Sequence, residues 1–123
     1  MGAVACLALG FALPDFKATT KEAMKRKLGH SQKALEGMAM ERFDALERNA
    51  AALVKLSQTE AWRAIETDEY RLFSEEFRRH AAALQKAAGK KNIDAASLAY
   101  VQMTLTCVNC HKYVRNKQRV AAL

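Results

Sequence analysis

Residues 93–116 read IDAASLAYVQMTLTCVNCHKYVRN. The stretch contains neither Pro nor Gly, and Ile93, Ala96, Val101, Leu105 and Val108 recur at the spacing of one helix face, not at the alternation of a strand. Asn92, just before it, is the residue type whose short side chain accepts a hydrogen bond from the first turn of a helix. Gly89 and the basic pair Lys90-Lys91 end whatever precedes it. The stretch predicts a helix from Ile93 to about Asn116.

Working back along the chain, a similar element occupies 67–88. Thr67 suits an N-cap, and Asp68 and Glu69 suit the positive end of a helix dipole. Phe73, Phe77, Leu84 and Ala88 form its apolar stripe, with His80 and Ala81 flanking it. Residues 57–66 read as a connection with a short helical turn around Trp62 and Ile65. A further segment from about Glu41 to Leu56 sets Phe43, Leu46, Ala50 and Leu53 on one face. The first runs from about Thr20 to Glu36, stops at Gly37, and carries Met24, Leu28, Leu35 and Met38. Connections this short favour antiparallel neighbours, so the expected fold is all-α, an antiparallel up-down-up-down four-helix bundle over 14–123.

Composition agrees. Alanine occurs 24 times, Val and Ile together 8 times, and Pro once, in 123 residues. That usage excludes a many-stranded sheet and a collagen-like repeat. The chain is long enough for one domain. Residues 1–13 stand apart: Ala3 to Leu13 are small and apolar without interruption, and Pro14 ends the run. This length suits the apolar region of a signal peptide and is too short to span a bilayer. An apolar arm packed on the domain is the alternative.

The net charge is +7. Basic residues are mixed with acids at helix-surface spacings and carry no interleaved aromatics, which favours a solvated face or an acidic protein partner over nucleic acid. Three cysteines, Cys6, Cys107 and Cys110, form no disulfide framework.

Cys107-Val108-Asn109-Cys110-His111 is a C-x-x-C-H sequence, the attachment signature of a c-type haem. Residues three and four apart share a helix face, so both thiols and the imidazole project toward one volume. There the thiols add to the two vinyl groups of one covalent haem c, and His111 becomes the proximal ligand. A zinc site lacks a second ligand pair, and a thioredoxin-like motif lacks its strand. Thioether attachment occurs on the outer side of the cytoplasmic membrane, which implies export to the periplasm and a leader that removes Cys6. No integral membrane segment is expected in the mature chain.

A C-x-x-C-H near the end of a four-helix domain resembles the class II c-type cytochromes, the cytochrome c-prime group and its low-spin relatives. The family motif continues with an aromatic and a basic residue. Here Arg115 matches the basic position, while Tyr113 stands one residue before the aromatic one. The resemblance implies electron transfer without enzymatic activity, in a monomer or homodimer. It also implies a distal methionine early in the first helix, in a stretch like Ala23-Met24-Lys25. Antiparallel first and last helices bring Met24 and His111 to matching depth. Lys27 and Ser31 share Met24's face and line the crevice, and Phe77 and Phe73 are candidates to pack on the porphyrin. Lys25, Arg26, Lys112 and Arg115 would surround the haem edge and favour acidic redox partners. The runner-up is a five-coordinate protein that binds nitric oxide or carbon monoxide, with Met24 off the iron. Peroxidase activity finds no distal acid–base pair in the sequence. His30 is expected at the surface, and Met103, Met38 and Met40 are set aside as ligands.

Overall fold

A computed structural model describes residues 16–123; the expected leader, Cys6 and Pro14 lie outside the described residues. Four helices follow one another: α1 (Phe16–Ala39), α2 (Phe43–Leu56), α3 (Asp68–Gly89) and α4 (Ile93–Ala121). A single 3-10 turn, Glu60–Trp62, interrupts the connection between α2 and α3. No strand occurs among the described residues.

The caps expected at α3 and α4 are present. Thr67 Oγ1 accepts from the Tyr70 N–H at 3.2 Å, and Asn92 Oδ1 accepts from the Ala95 N–H at 3.0 Å. The helix ends differ from expectation. The first helix does not stop at Gly37 but runs on to Ala39, and the last continues past Asn116 to Ala121. In both tight turns a non-glycine residue takes the left-handed conformation, Glu41 at φ 50° and Lys91 at φ 53°. Each closes the same pair of bonds. Arg42 N–H reaches Gly37 O at 2.7 Å and Glu41 N–H reaches Met38 O at 3.2 Å; Asn92 and Lys91 do the same to Ala87 and Ala88, both at 2.9 Å. This is the Schellman arrangement, and it reverses the chain within three residues.

Gly37 is needed for proximity. A Cβ there would lie 3.1 Å from the Leu46 backbone nitrogen and 3.3 Å from the Arg42 carbonyl, so its absence lets α1 close on the start of α2.

The core is filled by Leu46, Leu53, Phe77, Leu84 and Met103, all fully buried. Burying a side chain of this size contributes about 1.5–3 kcal/mol. Trp62 packs on Phe77 with ring centroids 5.0 Å apart. Its indole N–H donates to Ser74 Oγ at 2.9 Å, and that hydroxyl donates to the Tyr70 carbonyl. The Tyr70 hydroxyl in turn donates to the Trp62 carbonyl, so the connection is tied to α3 from both sides. Arg78 donates to Ser57 Oγ and to the Ser57 carbonyl, which satisfies the end of α2.

Two of the expected apolar stripes are buried only in part: Ala96 is buried and Met24 and Met38 pack against the core, but the other members do neither. On α4 the buried residues are Ala96, Ala99, Met103 and Thr106, whereas Val101, Leu105 and Val108 are about half exposed. On α1 Ala23, Lys27 and Ala34 are buried, while Leu28 is 59% exposed and Leu35 is also exposed. Small residues occupy the inward faces because neighbouring helices approach closely there. On α3 Ala81 is part of the buried stripe and not beside it, and Phe73 is only half-buried.

Sequential neighbours pack extensively, α1 on α2, α2 on α3 and α3 on α4. The fourth side, between α1 and α4, is the sparse one. It is pinned near the α1–α2 turn, where Tyr100 Oη donates to the Ser31 carbonyl at 2.9 Å and Ser97 Oγ reaches Met38 Sδ at 3.6 Å. At the other end of the same seam the helices stand apart.

Candidate functional site

The open end of the seam is a cleft of about 480 Å³. From α1 it is lined by Lys21, Met24, Lys25, Lys27, Leu28 and the expected Ser31; from α4 by Tyr100, Met103, Thr104, Cys107 and His111, whereas Cys110, expected to project into the same volume, does not line it. The pinning bonds give the register that brings these residues level. Ser31 with Tyr100 and Met38 with Ser97 have numbers that add up to 131 and 135, so antiparallel pairs in that range lie at one height. Met24 falls level with residues 107–111. The expectation that Met24 and His111 share one space therefore holds, and Lys27 lines it too.

Cys107 and Cys110 are free, half-buried thiols that pack against the core. Burial pushes the Cys110 thiol up from its ordinary pKa; the nearby Lys27 charge opposes that shift and Cys107 adds to it. Cys110 is held as a protonated thiol at neutral pH. His111 lines the cleft as an exposed residue, and its pKa is lowered by partial desolvation first, then by the charges of Lys27 and Arg115. The neutral imidazole, the form that can ligate a metal, thus persists to lower pH than usual. Lys27 itself is buried, with its ammonium over the rings of Trp62 and Phe77.

The remaining candidates lie around this centre. Phe77 is a core residue beneath Lys27 and does not line the cleft. Phe73 is stacked obliquely on Tyr113 at 5.8 Å. The Tyr113 hydroxyl is 2.7 Å from Thr67 Oγ1, so this residue ties α4 to the cap of α3. Arg115 is exposed and acts on the site through its charge. His30, expected at the surface, is half-buried with Nδ1 3.0 Å from Asn49 Oδ1, because its face of α1 packs on α2. His80 lies 3.7 Å from Glu76.

Three residues drew no site reading from the sequence: Tyr100 and Thr104, which line the cleft, and Trp62, which packs against the Lys27 ammonium. Tyr100, seven residues before Cys107, shares its helix face and was legible by that spacing. Trp62 had no such signal, since an irregular connection delivers it.

Among the described residues no three His, Cys, Asp or Glu side chains converge to hold a metal ion by themselves. The arrangement can instead receive an apolar group that brings its own metal: two thiols for covalent attachment, an imidazole and a thioether on facing helices. In comparisons with known proteins, no family model, curated protein or solved structure matches this chain.

Proposed function

We propose that the chain is a monohaem c-type cytochrome that carries electrons in the periplasm. The observation that carries the reading is that Cys107, His111 and Met24 line one apolar-walled cleft between α1 and α4, the most sparsely packed neighbours of the bundle. The residues fit a haem in kind, with two thiols on one helix turn and an imidazole and a thioether at one cleft. The cleft volume lies within the roughly 300–1,000 Å³ usual for cofactor sites. Cys107 and Cys110 would hold the group through thioethers, and His111 and Met24 would ligate its iron. The resemblance of the C-x-x-C-H helix to the class II c-type cytochromes supports the same assignment.

When bound, the haem supplies a one-electron iron couple. The chain supplies the rest. His111 is kept neutral for ligation by desolvation and by Lys27 and Arg115. Met24 provides a soft ligand that raises the potential relative to a second imidazole. Lys21 and Lys25 at the cleft, with Lys112 and Arg115 beyond His111, present positive charge at its mouth and select partners with acidic docking surfaces.

Absorption spectra of the ferric and ferrous protein, with and without carbon monoxide, test the ligand set. The electron-carrier reading predicts a low-spin ferric spectrum and slow, weak carbon monoxide binding. A high-spin ferric spectrum with rapid carbon monoxide binding would remove Met24 from the iron and favour gas binding.

A further inference from the structure

The core of the bundle contains a charge. Lys27 is only 7% exposed, and its Nζ lies 4.4 Å from the Trp62 ring centroid and 4.3 Å from that of Phe77. Lysine is almost never this buried without a partner. Here the partners are two aromatic faces, whose electron-rich surfaces attract a desolvated ammonium. Among the described residues no carboxylate forms an ion pair with it. A neutral apolar side chain of similar length would fill the space without the cost of desolvating a cation. The charge also reaches the site, because Lys27 lines the same cleft as Cys107 and His111.

We propose that Lys27 sets the redox preference of the site, its buried ammonium favouring the reduced state of a centre held by Cys107, Cys110 and His111. This rests on the electron-carrier reading above. The reaction is a one-electron exchange with a redox partner protein; the electron enters or leaves, and no bond to the chain forms or breaks. The oxidised centre carries one more positive charge than the reduced one, so a neighbouring cation raises its energy more. Lys25, whose side chain is 64% exposed, acts with the same sign but through water and salt. Lys27 is shielded from both, so its effect persists at high ionic strength.

The test uses the haem-loaded protein and the variants Lys27→Met, Lys27→Gln and Lys27→Arg, titrated against soluble mediators at low and high salt. At the wild-type midpoint potential, both neutral variants should show a reduced-to-oxidised ratio at least tenfold lower, a downward shift of about 59 mV for one electron. The shift should survive high salt, and the arginine variant should stay close to wild type. The glutamine variant serves if the methionine variant does not load. Neutral variants within twofold of wild type, or a shift that disappears in high salt, would overturn the proposal. Each sample is first extracted with acidified acetone. Haem that leaves the wild-type chain sinks the electron-carrier reading and this inference with it; retained haem with an unmoved midpoint sinks this inference alone.

Discussion

Tyr70 sits at the joint that carries Trp62 beneath Lys27. Its hydroxyl donates to the Trp62 carbonyl and accepts from the Ala64 N–H at 3.4 Å, and burial raises its pKa above the ordinary value. The unfolded phenol ionises near about pH 10 and the folded one higher, so above that pH the unfolded state loses its proton first and stability falls. Tyr70→Phe should cost about 0.5–1.5 kcal/mol at neutral pH by removing one of the two hydrogen bonds to the Trp62 carbonyl, which keeps that from the Ala64 N–H, and should flatten the alkaline decline. Tyr100, also raised by burial, keeps some of that decline. Urea unfolding at neutral and alkaline pH checks both; an equally steep alkaline decline in the variant contradicts the assignment. Met24 is half-buried at the cleft and makes a different prediction. Met24→Ala should convert a low-spin spectrum to a high-spin one, while destabilising the haem-free chain by less than the ~2–5 kcal/mol typical of a fully buried methionine. An unchanged spectrum would mean another residue is the distal ligand.

At the level of helices and turns, the two Schellman corners fix the whole arrangement. Left-handed backbone costs an L-residue about 1–2 kcal/mol. Glu41→Gly and Lys91→Gly should therefore each stabilise the fold by up to about 1 kcal/mol, after the added entropy of glycine in the unfolded chain. Gly37→Ala should destabilise by about 1–3 kcal/mol, because its Cβ meets backbone atoms of Leu46 and Arg42 that cannot swing aside. Thermal melts of the three variants separate the two signs. These corners also explain what the sequence concealed. Glycine reads as a helix stop, yet Gly37 and Gly89 lie within helices and the residues that turn the chain are Glu41 and Lys91. Thr67 and Asn92 were legible because a cap is a local bond made by a short side chain. The inward faces of α1 and α4 were not, because both helices carry larger apolar residues on a second face. Leu28 lines the open cleft and Leu35, Val101 and Leu105 are exposed, while Ala23, Ala34, Ala96 and Ala99 are buried.

For the molecule as a whole, three closed sides hold the bundle together and one side, open at its far end, holds the site. Truncation in the closed part should be costly: Leu53→Ala by about 2–5 kcal/mol, against about 0.5 kcal/mol or less for the exposed Leu28→Ala. The C-x-x-C-H cluster was legible because helix spacing alone gathers it. That Met24 and His111 line one cleft was legible because tight turns force antiparallel helices into register. The burial of Lys27 was not, since it depends on Trp62 arriving from a connection with no periodic signal. The most direct test of the account is the intact mass of the protein produced in cells that mature c-type haems, after extraction with acidified acetone. The account predicts a chain heavier by the mass of one haem, and no such increase when Cys107 and Cys110 are both replaced by Ala. A wild-type chain at the mass of polypeptide alone would contradict it.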